Sequence, residues 1–133
     1  LEAGLLPLNQ IALQFYGRVA YHDFEGIALE LGERERIVAD LGDKPAMILR
    51  NHGLLTTGRS VAGAFSLMFY LNAACEIQVA TLSMGAEIRL PPPEVQARVT
   101  SQYDRMAFDD GDLMLEWNAH LRLLDGLDPS YKS

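Results

Sequence analysis

The sequence has one cysteine, three histidines and no cluster of lysine or arginine. A lone Cys75 excludes an internal disulfide, and its place in an apolar stretch suits a packed thiol in a reducing cytoplasm. With 11 basic residues against 18 acidic ones, the net charge is -7, which argues against nucleic acid as a partner. His22, His52 and His120 stand far apart, with neither HxH nor HExxH spacing. There is no GxxxxGK[ST] or GxGxxG, so Gly53 and Gly58 bound a short strand and do not cradle a phosphate. No Ser-His-Asp arrangement can be argued. The charge-free run between Arg59 and Glu76 falls short of the roughly 18 residues of a membrane span. LEAGLLPLNQ lacks the basic lead and long apolar core of a signal peptide. The expectation is a cytoplasmic protein with no membrane partner.

What is present is a globular composition, 49% hydrophobic and 22% charged over 133 residues, enough for one domain with a core. The organising stretch is AMILRNHGLLTTGRS, residues 46–60. Met47, Ile48 and Leu49 form a continuous apolar run, as in a strand covered on both faces. Asn51-His52-Gly53 is a sharp corner, with Gly53 letting the backbone turn or approach another group closely. Ser60 is placed to cap a long helix over 61–84, whose apolar residues go almost all the way round. Such a helix is expected to be largely buried. Gly85 ends it.

Before this core, residues 1–17 predict a helix with Ile11, Phe15 and Tyr16 on one face, ended by Gly17. Residues 18–22 suit a short strand and 23–26 a loop. ERERIVADL predicts a helix over 33–41, with Glu33 and Glu35 in its first turn and Gly42 as its stop. After it come the stiff Leu90-Pro91-Pro92-Pro93 and a helix over 94–106. Asp109-Asp110-Gly111 predicts a break, and Asp112 a cap for a last helix carrying Trp117 and Leu121. The order is that of an α/β domain: a strand-helix core over 1–90 and a helical arm over 91–133.

Spacing alone makes His52 a turn residue, since a catalytic zinc site normally needs three protein ligands. His22, Asp23 and Glu25 form a second group of metal-type side chains, but local Asp and Glu in a loop are ordinarily solvated or turn-forming. His120 reads as a helix-surface residue. Cys75 has no neighbouring base or cation and reads as inert packing.

The stretches AMILRNHGLLTTGRSVAGAFSLMFYLNAACEIQ and YHDFEGIALELGERERIVADLGDKP resemble the class II aldolase/adducin family, in its bacterial adducin-like branch. The resemblance implies a three-layer α/β/α unit with a mostly antiparallel central sheet. It makes His52 the third zinc ligand, the other two coming from an HxH upstream. The acid/base glutamate also lies upstream, so no catalytic residue is expected within the chain. On this reading residues 1–133 are the second half of the domain, with the N-terminal part missing. The implied activity is a zinc-dependent, aldolase-type lyase acting on a small sugar phosphate or related hydroxy-carbonyl compound through an enediolate. A sugar-phosphate 4-epimerase and a non-catalytic adducin-like scaffold are the alternatives. A homo-oligomer, tetrameric by resemblance, is implied as well.

Overall fold

The apolar run at Met47 becomes the middle strand of a three-stranded sheet. The computed structural model describes residues 1–27, 31–105 and 110–132. Its elements are α1 (Gln10–Leu13), β1 (Val19–His22), α2 (Leu31–Leu41), β2 (Ala46–Leu49), β3 (Gly53–Thr56), α3 (Val61–Ser83), α4 (Pro93–Arg105) and α5 (Asp110–Leu127), with a 3-10 turn at Pro129–Lys132. The strand order is β1-β2-β3. β1 and β2 pair in parallel, Val19 opposite Ala46, because the chain crosses between them through α2. β2 and β3 pair antiparallel, Leu49 opposite Gly53, because only residues 50–52 join them. The described sheet is therefore mixed, with one pairing of each kind.

Strand alternation assigns the two faces. Ala46 and Leu54 lie on one face with Phe15, Leu67 and Leu71 of the core, and Thr56 there donates its hydroxyl to the Ala64 carbonyl of α3 at 2.9 Å. His22 lies on the other face and meets Asp40 of α2. Helices thus cover both faces, which gives the three-layer arrangement. Met47 and Leu71, both at 0% exposure, are the largest fully buried side chains.

Several local signals act as expected. The Ser60 hydroxyl accepts the Gly63 N–H at 3.1 Å and caps α3. Gly17, Gly42 and Gly85 adopt positive φ where helical segments stop. Other boundaries differ. The first helix is only four residues long, capped by Asn9, whose side chain accepts the Ala12 N–H. α2 already includes Leu31 and Gly32, two residues before the expected start. Asp110 already belongs to α5, so Asp112 lies inside that helix and is not its cap. The expected break at Asp109 and the helix end at Met106 lie outside the described residues.

The expectation of a largely buried α3 is corrected. Its buried positions are Ala62, Ser66, Leu71, Ala74 and Gln78, while Val61, Phe69 and Val79 are 74%, 44% and 67% exposed. Small side chains face inward because they let the helix approach its neighbours closely. By length and composition α3 could cross a membrane. Here it packs against β2, β3, α1 and α5.

Gln78, which interrupts the apolar pattern, turns out to be structural. Its Nε2 donates to the Gly4 carbonyl at 2.8 Å, and its Oε1 accepts the Leu6 N–H at 2.6 Å. Gln78→Leu should strand both backbone groups and lower stability by about 2–3 kcal/mol. Urea unfolding checks this; a midpoint unchanged from the parent would show that water replaces the amide without penalty.

Candidate metal ligand at the strand corner

The corner after β2 is Arg50-Asn51-His52. Asn51 carries the positive φ, 58°. The expectation that Gly53 makes the turn is thus corrected: Gly53 begins β3, and asparagine tolerates the left-handed region. The loop is held by two backbone bonds, His52 N–H to the Leu49 carbonyl at 3.0 Å and Arg50 N–H to the His22 carbonyl at 2.9 Å. Arg50 also stacks its guanidinium on the Tyr21 ring, 4.9 Å from the centroid, and donates to the Leu1 carbonyl. His52 is exposed, on a short corner whose neighbours are fixed.

Among the described residues no three His, Cys, Asp or Glu side chains are grouped to hold a metal ion. His52 can supply one imidazole, and the described residues do not complete a site around it. The described residues therefore do not make a catalytic metal site by themselves.

The other sequence candidates are not brought to this corner. His22 ends β1, as the expected strand over 18–22 has it, is 4% exposed, and its Nδ1 lies 2.7 Å from Asp40 Oδ2. Its Nε2 is buried without a hydrogen-bond partner, 3.9 Å from Oε1 of the buried Glu33. Asp23 and Glu25 turn elsewhere. Asp23 pairs with Arg50 at 3.3 Å, and Glu25 accepts from Arg36 Nε at 2.8 Å. The Arg36 guanidinium holds the Glu25 carboxyl below its ordinary range. This second group is a set of ion pairs joining β1, the corner and α2. His120 is also corrected: its ring is half-buried, 4.9 Å from both Phe65 and Phe69.

Cys75 borders the depression beside the corner, together with Ile48, Asn51 and Gln78. Burial, and then the neighbouring Glu76, pushes its thiol above the ordinary range. Less thiolate at a given pH means slower alkylation. Iodoacetamide at pH 8 should label Cys75 roughly tenfold more slowly than an exposed thiol, with full reactivity restored in denaturant. Labelling in the native protein at the rate of a free thiol would contradict the burial.

The comparisons with known proteins agree with this fold. Residues 1–79 match the model of the class II aldolase and adducin N-terminal domain. The crystal structure of an aldolase II superfamily protein from Pseudomonas syringae superposes with a TM-score of 0.90 at 49% identity, covering 100% of this chain and 53% of that one. The chain belongs to the class II aldolase and adducin family. A "Putative aldolase class 2 protein" of Caulobacter vibrioides is 47% identical over 132 residues, 98% of this chain and 50% of its own length. Alpha-adducin of Rattus norvegicus is 48% identical over 84 residues, 62% of this chain and 11% of its own length. The chain spans about half the length of the bacterial relatives it matches.

Proposed function

We propose that the chain is part of a zinc-dependent, aldolase-type lyase that cleaves a carbon–carbon bond of a small sugar phosphate or related hydroxy-carbonyl compound. His52 is one metal ligand, and the rest of the ligand set and the acid/base glutamate come from outside residues 1–133. On this reading the chain is the second half of the family domain. The observation that carries it is the imidazole displayed, exposed, on a three-residue corner that is shaped by backbone hydrogen bonds. The similarity to bacterial proteins along nearly the whole chain supports the same reading.

A cytoplasmic homo-oligomer, tetrameric by family resemblance, goes with this proposal. The exposed Val61, Phe69 and Val79 on α3 favour subunit contacts, since apolar surface of this kind seeks a partner. The second reading is a non-catalytic adducin-like scaffold, favoured by the 48% identity to alpha-adducin. A sugar-phosphate 4-epimerase is a third outcome of the same assay.

The test is metal analysis after dialysis, paired with a retro-aldol assay on short ketose phosphates, on the 133-residue chain and on the full-length protein. The proposal expects about one zinc per subunit and cleavage in the full-length protein, and weak zinc binding without cleavage in the short chain. A metal-free, inactive full-length protein would favour the scaffold. Tight stoichiometric zinc in the short chain would move the site away from His52.

A further inference from the structure

Arg50 shares the corner with His52 and is held at both its backbone and its side chain. Its N–H donates to the His22 carbonyl at 2.9 Å, and its Nη1 donates to the Leu1 carbonyl at 2.8 Å. Its Nε lies 3.3 Å from Asp23 Oδ1, and its guanidinium lies over the Tyr21 ring. We infer that Arg50 is a positioning residue for His52: it fixes the imidazole-bearing corner relative to residues 1–6. The inference deepens the lyase reading and rests on it only where zinc is the readout.

Two observations carry it. The first is that residues 1–6 are a fixed reference. The Tyr21 hydroxyl oxygen accepts the Leu5 N–H at 2.9 Å, and the Gln78 amide holds the Gly4 carbonyl and the Leu6 N–H. Gly4, at φ 64°, crosses the Tyr21 ring so closely that a Cβ there would lie 2.4 Å from the hydroxyl oxygen. Glycine allows both the conformation and the approach. The second is that the corner itself is lightly held. Asn51 takes a positive φ, and the bond inside the corner is His52 N–H to the Leu49 carbonyl. A short exposed segment with few buried contacts opens readily. Arg50 ties it outward, to β1 and to residue 1.

The chemistry of the side chain suits this role. A guanidinium is planar, presents several donors in fixed directions and stacks on an aromatic face, so one residue can serve a ring and a carbonyl together. The exposed Asp23 pair adds little by itself. The stack on Tyr21 matters more, because the same ring carries the hydroxyl that holds Leu5. Tyr21 thus joins Arg50 to residues 1–6 a second time. The depression of about 490 Å³ between the two is lined by Gly4, Leu5, Arg50 and Asn51, so Arg50 sets its width.

The experiment compares Arg50→Met and Arg50→Lys with the full-length parent. Arg50→Met keeps an apolar stem for the Tyr21 ring and removes the donors. Amide exchange should quicken about tenfold at Gly4 and His52, whose N–H groups bond to the Leu1 and Leu49 carbonyls, while α3 keeps its protection. The ¹³Cε1–¹Hε1 signal of His52, identified by its loss in His52→Ala, should shift. Zinc affinity, measured by chelator competition, should fall about 10–100-fold, as for other residues that orient a ligand. Arg50→Lys restores a cation without the fork and should recover part of each effect. Unchanged exchange at both amides in Arg50→Met would overturn the inference. An unmoved His52 signal would do the same, since the corner would then loosen without displacing the imidazole. Unchanged zinc affinity in a parent that binds zinc would overturn it as well. A parent that binds no zinc defeats the lyase reading, and exchange and the His52 signal then decide this inference. Should Arg50→Met expose α3 too, Arg50→Lys decides by the same readouts.

Discussion

Under the proposed lyase reading, replacing His52 by alanine in the full-length protein should remove bound zinc and lyase activity together and leave the fold intact. A catalytic zinc normally has three protein ligands, and taking away one would leave two competing with water. Residues that only orient ligands are worth about 10–100-fold in affinity or activity, so loss of a ligand should cost at least about a hundredfold. The fold should survive because the His52 side chain is exposed, and the bond that shapes the corner is made by its backbone N–H. Exposed substitutions of this kind stay within about 0.5 kcal/mol, which is about 2 °C in melting temperature. Zinc content, retro-aldol rate and thermal unfolding, measured on the same preparation, check all three statements. A variant that keeps zinc and full rate would defeat the assignment of His52.

Gly58→Ala should be among the most destabilising single substitutions in the chain. A Cβ at residue 58 would lie 2.6 Å from the Ala64 nitrogen and 3.1 Å from the Ala64 Cα. Those are backbone atoms in the first turn of α3, and they cannot rotate aside as a side chain would. The same turn is fixed by the Ser60 cap and by the Thr56 hydroxyl on the Ala64 carbonyl. Relief therefore means moving α3 away from β3. Overpacking against rigid backbone costs about 3 kcal/mol, or about 10 °C in melting temperature for a domain of this size. Calorimetry decides it. A melting temperature within about 2 °C of the parent would show that the 57–60 segment gives way at little cost.

The order of elements was legible in the sequence because it rests on local signals. Apolar runs, glycines at stops and the Ser60 cap each act within a few residues. What stayed hidden depends on partners distant in sequence. α3 is apolar on nearly every side, so periodicity has no power to say which face turns inward; only the sheet and α1 decide that. The sequence places His22 on a strand without a partner, and it is α2, some 18 residues on, that brings Asp40 to its ring. Gln78 looked like an interruption, and its partners lie more than 70 residues away. Gly53 drew attention as the permissive residue of the corner, whereas Asn51 takes the left-handed conformation. For the candidate site, His52 was found through family resemblance and not through spacing, because the described residues hold no companion ligands.

The exposure of residue 52 has a consequence for descent. The strands on either side are held by backbone pairing, and residue 52 contributes to the corner through its backbone N–H. If His52 serves a metal, a single codon change there would silence the chemistry in a lineage while sparing the architecture. Drift away from catalysis and recruitment to a binding role would then pass through folded intermediates, with no fitness valley imposed by misfolding. A return toward metal binding would be equally short, provided the companion ligands had not been lost in the meantime.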